Sequence, residues 1–474
     1  MEAKETVGSR RVAYTILLFS FLLTGLIFYA LYSALYPYLL LPEPTTPPMV
    51  PVDGGPVVPT PWYTIYVNIL ILWIKSRTVL FYFFLIFLVV TFLNELSYVP
   101  LGYYHGRLDR GREQPFSSTP SVSIIVPAYN EEKVIKDTIT SLLEVNYPDK
   151  EIIVVNDGST DGTERVVAPF AERGDVRLIN RPNGGKAAAL NTGLFFARGE
   201  VIVTIDADVA VERGSVAELA PHFSDPDVVA VAGNVKVGNR VNVLTKLQAL
   251  EYIRGINLRR RAFDVLNTIL VAPGSISAFR KSAYERVGAY DRGTVTEDMD
   301  TTVKLTKTRN ALRYEPSAVG HTEAPEGLRG LIRQRRRWYG GTLQTTLKHR
   351  VSWWRFGTLS SIGFPYLVMS MFFLPIAELT ALILAIVYLA SGLYLGVFYA
   401  FLAVLAIEFV LSALAIHMDG EDWGLLWYTP IYVLVYRYIL DGIRLKTYWD
   451  LLRGKLKWAP SERLGRLPEK IRAR

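Results

Sequence analysis

Long uncharged runs near the start of the chain predict two membrane-spanning helices. The first, Val12 to Pro42, follows the basic Ser9-Arg-Arg11, and the second covers Thr78 to Asn94. These runs approach or exceed the roughly 20 apolar residues that a spanning helix needs. Basic residues flank the pair, so the positive-inside rule places the Pro/Gly-rich stretch 41–61 outside the cytoplasm. We expect residues 1–101 to form a membrane region with two spans and an extracytoplasmic loop.

Apolar runs return after residue 350 and predict a second membrane region, residues 351–445. The runs are Phe356 to Pro375, Ile376 to Ala390, Tyr394 to His417 and Gly424 to Leu440. Their proline breaks and aromatic residues also suit helices that lie along the membrane surface. We expect six spans in the whole chain and a basic cytoplasmic tail at residues 446–474.

Between the two membrane regions, short β-rich runs alternate with polar, helix-like stretches. The predicted strands are Val122–Val126, Glu151–Val155, Val176–Ile179, Val201–Ile205 and Val228–Ala232, and the predicted helices are Glu132–Val145, Thr160–Arg173 and Lys186–Ala197. This alternation indicates an α/β, Rossmann-like domain over residues 118–350, with a mainly parallel sheet covered by helices. Such a sheet binds its ligand at the carboxyl ends of its strands.

The composition agrees with a membrane protein that has a large aqueous domain. Half of the residues are hydrophobic, 20% are charged and the mean hydropathy is +0.22. The chain has no cysteine, which excludes a disulfide framework, a thiolate zinc site and a thiol nucleophile. The net charge is +8, and its basic clusters are typical of the flanks of membrane segments. We therefore expect contact with a lipid bilayer and no nucleic acid; the sequence leaves protein partners open.

Two carboxylates follow the predicted strand Val201–Ile205 in the sequence Asp206-Ala-Asp208. Oxygen ligands at this spacing can share one hard cation such as Mg²⁺ or Mn²⁺, which in turn can bind a diphosphate. A solvated turn that caps the next helix is the structural alternative, and Asp-x-Asp alone is a weak signal. The position after a buried strand favours the metal site.

Two further turns have residues suited to a nucleotide. Asn156-Asp-Gly-Ser159 follows a strand, and Asp157 there can accept hydrogen bonds from a nucleobase or ribose. Asn183-Gly-Gly-Lys186 leads into a helix, where free amide groups and the Lys186 charge can bind phosphate. Ordinary turns with N-caps would explain both segments equally well.

Thr296-Glu-Asp298 precedes another helical stretch. Acidic residues are common at helix N-termini, so simple capping is plausible. As chemistry, Asp298 can take the proton from an acceptor hydroxyl while that hydroxyl attacks an anomeric carbon. A base beside the leaving diphosphate makes single displacement with inversion the simplest mechanism.

Gln334-Arg-Arg-Arg-Trp338 places Gln334, Arg337 and Trp338 on one face if the segment is helical. Trp338 can stack on a sugar, and the other two side chains can bind hydroxyls or a diphosphate. The remaining arginines of this segment can reach lipid phosphates. A juxtamembrane basic helix explains the arginines but not the glutamine and tryptophan. The scattered histidines have no metal-ligand spacing, and we interpret them as structural.

In order and placement these motifs resemble those of the processive, membrane-embedded family 2 glycosyltransferases, such as hyaluronan, chitin, cellulose and poly-N-acetylglucosamine synthases. The resemblance is carried by Val126-Pro-Ala-Tyr-Asn-Glu131 and the four motifs above, from about residue 121 to 350. It implies a cytoplasmic GT-A domain inserted between transmembrane segments, in the cell membrane. It also implies nucleotide-sugar contacts at Ala128, Asn130, Glu131, Asp157, Lys186 and Asp206, a metal at Asp206 and Asp208, catalysis by Asp298 with Glu297, and acceptor contacts at Gln334, Arg337 and Trp338.

The resemblance predicts an inverting, metal-dependent enzyme that uses a UDP-sugar and Mg²⁺ or Mn²⁺. We expect it to elongate a β-linked polysaccharide, with UDP-N-acetylglucosamine as the first choice of donor, and to move the product across the membrane. Transfer of one sugar to a polyprenyl phosphate is the alternative enzyme, and a glycolipid would then be the acceptor. A transporter or nucleotide-binding membrane scaffold is the alternative of another class; it would not need a base such as Asp298.

Overall fold

The computed structural model describes residues 49–50, 58–59, 98–111, 119–390, 394–454 and 465. Two compact units divide these residues, one made of 98–375 and 408–465 and the other of 376–407 with the short strand pair Met49–Val50 and Val58–Pro59. The predicted spans Val12–Pro42 and Thr78–Asn94 lie outside the described residues, and so does most of the predicted tail.

An eight-stranded mixed sheet is the centre of the first unit. Its strands are β1 Val122–Ala128, β2 Lys150–Asn156, β3 Arg177–Asn180, β4 Val201–Thr204, β5 Val209–Val211, β6 Val228–Val237, β7 Ser277–Arg280 and β8 Ala311–Thr322. They lie in the order β3-β2-β1-β4-β7-β6-β8-β5. β1 to β4 pair in parallel, β7 is antiparallel to β4 and β6, and β8 is parallel to β6 but antiparallel to β5.

The five strands predicted from the sequence are all present. β1 is buried at every position and β4 likewise, as expected for central strands of a covered parallel sheet. β3 begins one residue later than predicted, and β6 extends five residues further. Strands β5, β7 and β8 were not predicted, because each is either short or interrupted by polar residues.

Helices and loops connect the strands. The α-helices are α1 Tyr98–Gly111, α2 Ile135–Leu143, α3 Thr163–Glu172, α4 Lys186–Phe196, α5 Ser215–Leu219, α6 Val243–Glu251, α7 Leu258–Val265, α8 Lys281–Arg286, α9 Glu297–Thr306, α10 Leu328–Lys348, α11 Phe364–Val368, α12 Leu374–Ala390, α13 Tyr394–Asp419, α14 Thr429–Ile431 and α15 Arg437–Leu452. π-Helical segments are Tyr252–Asn257, Leu359–Gly363, Met369–Phe373 and Tyr432–Tyr436, and 3₁₀ turns are Ala220–Ser224, Arg350–Trp354 and Trp423–Tyr428. The predicted helices correspond to α2, α3 and α4.

Two helical segments in the described range are long and apolar enough to cross a membrane, Leu359–Ala390 and Val397–Asp419. The predicted spans 356–375 and 376–390 are therefore one continuous helical run. Pro365 and Pro375 do not end it; each is the second residue of an α-helical segment that directly follows a π-helical segment, where the hydrogen-bond pattern changes. The predicted span 424–440 is not among these segments, and it consists of 3₁₀, α and π turns in succession.

Candidate active site

The carboxyl ends of β1, β2 and β4 lie together at one edge of the sheet. The Asp157 amide donates to the Ala128 carbonyl at 2.9 Å, and the Ile205 amide donates to the Ile125 carbonyl at 3.1 Å. The segments that follow these strands carry most of the predicted nucleotide-sugar residues. The parallel arrangement thus places them where open α/β sheets bind ligands.

The loop after β1 is tied to the loop after β2. Asn130 has a left-handed backbone, with φ of +56°, which asparagine adopts more readily than most residues. Its side-chain oxygen accepts from the Thr160 amide at 2.8 Å, and its own amide donates to Ser159 Oγ at 3.0 Å. The Glu131 amide donates to Thr163 Oγ1 at 2.9 Å. The two loops therefore form one wall of the site.

Asp157 is buried and fixes the glycine-rich turn before α4. Its carboxylate accepts hydrogen bonds from the Gly184 amide at 3.1 Å and from the Gly185 amide at 2.7 Å, and it is paired with Arg181. Gly185 has φ of +84°, a conformation that favours glycine. Asp157 therefore orients the turn that delivers Lys186, in addition to any role toward the nucleoside.

Lys186, the first residue of α4, contacts two of the acidic motifs. Its ammonium lies 2.6 Å from Asp206 Oδ1 and 3.1 Å from Glu297 Oε1. Burial by itself would lower the pKa of Lys186, but the carboxylates of Asp206, Glu297 and Asp298 outweigh it and raise the pKa above its ordinary value. Lys186 is therefore a permanent cation at the centre of the site.

Asp298 lies in the first turn of α9, next to Glu297. Its Oδ1 accepts from the Met299 amide at 2.8 Å, and its Oδ2 accepts from the Gly274 amide at 3.3 Å. Burial, followed by the charge of Glu297, raises the pKa of Asp298 above the usual value for an aspartic acid, although Lys186 opposes the shift. A carboxylate with a raised pKa is a stronger base once it is ionised.

Asp206 and Asp208 supply carboxylate oxygens of the kind that Mg²⁺ and Mn²⁺ prefer. Asp206 is partly exposed beside Lys186, whereas Asp208 is buried and accepts a hydrogen bond from Thr322 Oγ1 at 3.2 Å. Within the described residues, no group of three or more His, Cys, Asp or Glu side chains could hold a metal. The two carboxylates are of the type that a hard cation accepts as ligands, and their role in binding one is a proposal.

Helix α10 carries the predicted acceptor residues on its first half. Gln334 is buried and accepts a hydrogen bond from Arg335. The Trp338 ring lies 4.1 Å from the Arg335 guanidinium carbon and 6.0 Å from the Tyr252 ring. Arg337 is close enough to Lys186 for its charge to act on the pKa of that lysine. In the described part of the chain no hydrogen bond or ion pair engages Arg337.

The two other arginines of the motif have partners within the protein. Arg335 is fully buried and forms a two-point ion pair with Glu251, at 2.6 and 3.1 Å. Arg336 pairs with Asp450 of α15 at 2.8 Å. The sequence interpretation that these arginines reach lipid phosphates is therefore wrong for Arg335, and Arg336 is already engaged with a carboxylate.

Tyr252 and Arg260 belong to the site but were not predicted. The charges of Asp208 and Asp298 reach these two residues: Asp208 contributes to the pKa of Tyr252, and Asp298 contributes to the pKa of Arg260. Burial lowers the pKa of the Arg260 guanidinium, and it raises the pKa of Tyr252 to about 12. Neither residue stands in a recognisable motif. The only signal is the concentration of arginines at 254–261, within the apolar stretch before β7.

The histidines do not form a metal site among the described residues. His222, His321 and His349 each lie within 2.9 Å of a carboxylate oxygen. Their interpretation as structural residues agrees with these pairs.

Comparison with known proteins identifies related sequences. Residues 123–288 match the family described as "Glycosyl transferase family 2". The poly-beta-1,6-N-acetyl-D-glucosamine synthase of Staphylococcus epidermidis is 34% identical over 229 residues, which are 48% of this chain and 56% of that protein. The synthase of the same name from Staphylococcus aureus strain COL is 32% identical over 250 residues, covering 52% and 60%. The chain thus covers little more than half the length of the curated relatives it matches.

A solved structure extends the comparison to the fold. The mannosyltransferase PcManGT from Pyrobaculum calidifontis, in complex with GDP-Man and Mn²⁺, superposes with a TM-score of 0.55 at 25% identity. The match covers 78% of this chain and 99% of that one. The α/β domain described here therefore has a GT-A-like fold.

Fold, motifs and relatives agree. The matched residues 123–288 contain the strands β1 to β7 and the loops that carry Asn130, Asp157 and Asp206. Within the same domain, α9 and α10 add Asp298 and Arg337 to this edge of the sheet. Residues 123–288 of the chain therefore form a glycosyl transferase family 2 domain.

Proposed function

We propose that this enzyme elongates a β-linked polysaccharide by inverting, divalent-metal-dependent transfer from a UDP-sugar, with UDP-N-acetylglucosamine as the donor, and that it moves the product across a membrane. The substrate class rests on the relatives named poly-beta-1,6-N-acetyl-D-glucosamine synthase. The reaction type rests on one observation, the grouping of Asp298 with Lys186, Asp206 and Glu297.

Asp298 is the proposed general base. Its carboxylate takes the proton of the acceptor hydroxyl as that oxygen bonds to the anomeric carbon of the donor. The bond between the anomeric carbon and the diphosphate oxygen breaks with its electron pair, and UDP leaves. One displacement on the opposite face inverts the anomeric centre, so an α-linked donor gives a β-linked product. The two amide hydrogen bonds to Asp298 hold the carboxylate in place for this step.

The cations of the site stabilise the departing diphosphate. Lys186 is fixed between two carboxylates, and Arg337 has no partner among the described residues, so its guanidinium is available for phosphate oxygens. Asp206 and Asp208 would hold the divalent cation, which would act as a Lewis acid on the leaving group. Trp338 and Gln334 would contact the acceptor sugar. The nucleoside would lie against the wall formed by Ala128, Asn130 and Glu131 beside Asp157.

The test is an assay of the purified protein in proteoliposomes with Mg²⁺ or Mn²⁺ and a panel of radiolabelled donors. Products are separated by size and by solvent extraction, then treated with glycosidases. A high-mass, glycosidase-sensitive product from UDP-N-acetylglucosamine, absent with Asp298→Asn, supports the proposal. Label confined to a small, organic-extractable lipid points instead to single transfer onto a polyprenyl phosphate. Donor binding without turnover would indicate a nucleotide-binding scaffold.

GDP-mannose is a second candidate donor. The structure of the mannosyltransferase that holds GDP-Man covers 78% of this chain, a larger share than the curated synthases cover. GDP-mannose therefore belongs in the same donor panel. Release of GDP from it at a higher kcat/KM than release of UDP from any UDP-sugar would replace UDP-N-acetylglucosamine as the proposed donor.

The proposed location is the cell membrane, with several spans and the catalytic domain in the cytoplasm. The support is the pair of apolar helical segments Leu359–Ala390 and Val397–Asp419, together with the basic flanks of the apolar runs. Protease treatment of intact spheroplasts tests this orientation. The proposal requires that an epitope inserted after Gly174, at an exposed turn of the domain, is cleaved only after lysis.

A further inference from the structure

A buried ion pair lies directly behind the aromatic pair Tyr252 and Trp338, and the proposed chemistry does not use it. Glu251, the last residue of α6, accepts two hydrogen bonds from Arg335 of α10, at 3.1 and 2.6 Å. It also accepts a hydrogen bond from the Tyr436 hydroxyl at 2.5 Å. The Arg335 side chain has no solvent exposure. Three separate segments of the chain therefore meet at one carboxylate.

A second set of charged residues lies about one helical turn beyond Glu251 along the chain. Glu408 of α13 is paired with Arg254 and also with Arg437 at 2.9 Å. Glu408 and Arg254 are 3% and 5% exposed, and the Arg254 guanidinium lies 5.1 Å from the ring centre of Tyr432. Charged groups this deeply buried are expensive unless each has a partner, so this arrangement depends on its complete set.

Both sets connect the segment that contains Glu251 and Arg254 with the segment that contains Tyr436 and Arg437, the second set through Glu408. Glu251 precedes the π-helix Tyr252–Asn257, which contains Arg254, and Tyr436 ends the π-helix Tyr432–Tyr436, which Arg437 follows. π-Helical turns are rare and are often found at functional sites. Here they bring Glu251 and Arg254 of one segment to Tyr436 and Arg437 of the other.

The first set also contacts the candidate acceptor residues directly. The Arg335 guanidinium faces the Trp338 ring at 4.1 Å and the Tyr252 ring at 5.9 Å, and it donates to Gln334. One arginine thus fixes three side chains at this position. Its planar guanidinium is required, because a lysine ammonium cannot form the two-point contact to Glu251 and at the same time lie flat on the rings.

We propose that these two sets of residues, Glu251, Arg335 and Tyr436 together with Arg254, Glu408 and Arg437, form a charged strut that positions Trp338 and Tyr252 for the acceptor sugar. The inference rests on the proposed function, since it assigns the ring pair to an acceptor. The strut residues are positioning residues and do not touch the donor. Loss of a strut contact therefore weakens acceptor binding and leaves UDP binding intact.

The test measures binding without turnover. The dissociation constants of UDP and of a β-1,6-linked N-acetylglucosamine tetrasaccharide are determined by calorimetry on detergent-purified protein. The variants are Arg335→Lys and Glu251→Gln, and the milder Tyr436→Phe and Glu408→Gln follow in case the first two fail to fold. Arg329→Lys is the matched control, because Arg329 is an exposed arginine on the same helix.

We expect Arg335→Lys and Glu251→Gln to weaken tetrasaccharide binding about tenfold or more, as displacement of a binding group by a fraction of an ångström can do. Tyr436→Phe and Glu408→Gln should weaken it less, with UDP binding within about twofold of wild type in all four. Equal tetrasaccharide binding in every folded variant, or a parallel loss of both ligands, would overturn the strut. If the wild type binds UDP but no tetrasaccharide, the assignment of Trp338 and Tyr252 to an acceptor sugar is wrong.

The same variants separate this inference from the proposed function. If the wild type makes polymer, shorter chains from Tyr436→Phe with an unchanged KM for the donor support the strut, and unchanged chain length contradicts it. If the wild type makes no polymer, the proposed function fails, while the binding measurements still decide whether the strut positions an acceptor.

Discussion

At the scale of single residues, the site groups carboxylates that would repel one another without the lysine that lies among them. Asp206, Glu297 and Asp298 converge on the strand ends, and Lys186 lies among them. Without this cation, three neighbouring carboxylates would disfavour each other's ionisation. Lys186 opposes the rise in the pKa of Asp298 that burial and Glu297 cause, and that pKa nevertheless stays above its usual value.

The first prediction concerns Asp298. Asp298→Asn retains the size of the side chain and one of its two hydrogen bonds from the Gly274 and Met299 amides, since an amide nitrogen cannot accept the other, and it removes the base. We expect kcat to fall by about 10²–10⁴ with little change in the KM of the donor, the usual contribution of a general base. Initial rates of UDP release at saturating donor measure this effect. Asp227→Asn, at an exposed position of the same domain, should retain full activity.

The raised pKa of Asp298 also predicts a trend in stability. The folded protein holds this proton more tightly than the unfolded chain does, so stability falls as the pH rises from the unfolded value of about 3.9 through the raised pKa. Asp298→Asn has no titrating group at this position, so its stability does not fall with pH for this reason. The variant should therefore unfold at a higher temperature than wild type at alkaline pH, and the difference should vanish near pH 4. Scanning calorimetry across this range that shows a constant difference would contradict the assignment.

At the scale of elements, α10 carries the proposed acceptor residues and also packs against the segment that leads to the proposed base. Its second half packs on the segment that leads into α9: the Gln344 side chain accepts from the Val295 amide at 3.3 Å, and His349, which follows α10, contacts Asp300 of α9 at 2.9 Å. Gly341 of α10 faces Thr296, and the gap between the two residues has no space for a side chain on Gly341. A shift of α10 would therefore move Asp298 and Trp338 together.

Gly341→Ala tests this coupling. A Cβ at this position would overlap the methyl and hydroxyl groups of Thr296, two residues before Asp298. Overpacking of this kind typically costs about 1–3 kcal/mol of stability, and displacement of the base should lower kcat by about tenfold or more. Gly442→Ala is the control, because a Cβ there meets no atom within 4 Å in the middle of α15. The control should keep full activity, and equal activity of both variants would refute the coupling.

The part of the fold that sequence could predict is the part with local signals. β1, β2, β4 and β6 each contain a run of consecutive apolar residues, and the turns that follow the first three carry Asn130, Asp157 and Asp206 in recognisable motifs. β8 contains Arg313, Glu315, Pro316 and His321, so no alternation marks it; its strand conformation depends on pairing with β6.

The unpredicted contacts of the site are long-range. Arg335 and Glu251 lie 84 residues apart, and Tyr436 is 185 residues from Glu251. A basic run such as 335–337 therefore reads as a solvent- or lipid-facing surface, although its first arginine is fully buried. Only the packing of α6, α10 and the π-helix Tyr432–Tyr436 shows which arginine is structural and which is available to a ligand.

At the scale of the whole molecule, the end of α13 is anchored to the catalytic sheet domain. Asp419 accepts hydrogen bonds from Asn234 of β6 and from Asn257, each at 3.1 Å, and pairs with Arg261. Two residues later, Glu421 forms a two-point ion pair with Arg240 at 2.6 and 2.8 Å. The apolar helix α13 therefore ends in a group of hydrogen bonds and ion pairs centred on Asp419 and Glu421, which we call the joint.

Asp419→Ala should break this joint. Removal of one partner from a buried charged network typically costs about 3–5 kcal/mol, since Arg261 loses its carboxylate and both asparagines lose one of their acceptors. The unfolding temperature of the detergent-solubilised protein measures the loss. Asp422→Ala, which removes only a capping hydrogen bond to the Gly424 amide, should cost about 1 kcal/mol. If the two variants are equally stable, Asp419 is not an anchor.

The burial pattern of α13 limits how much of that helix lipid can cover. From Glu408 onward one face is buried, at Glu408, Leu411, Ser412, Ala415, Ile416 and Asp419, whereas none of the described side chains at 394–407 is buried. Residues 394–407 rise about 21 Å as an α-helix, but a bilayer has a hydrocarbon core of about 30 Å. Under the proposed membrane location, this exposed length is shorter than the hydrocarbon core, so the bilayer would have to thin around the helix. Acyl-chain length should then affect the enzyme, because a thicker bilayer would pull on the joint at Asp419.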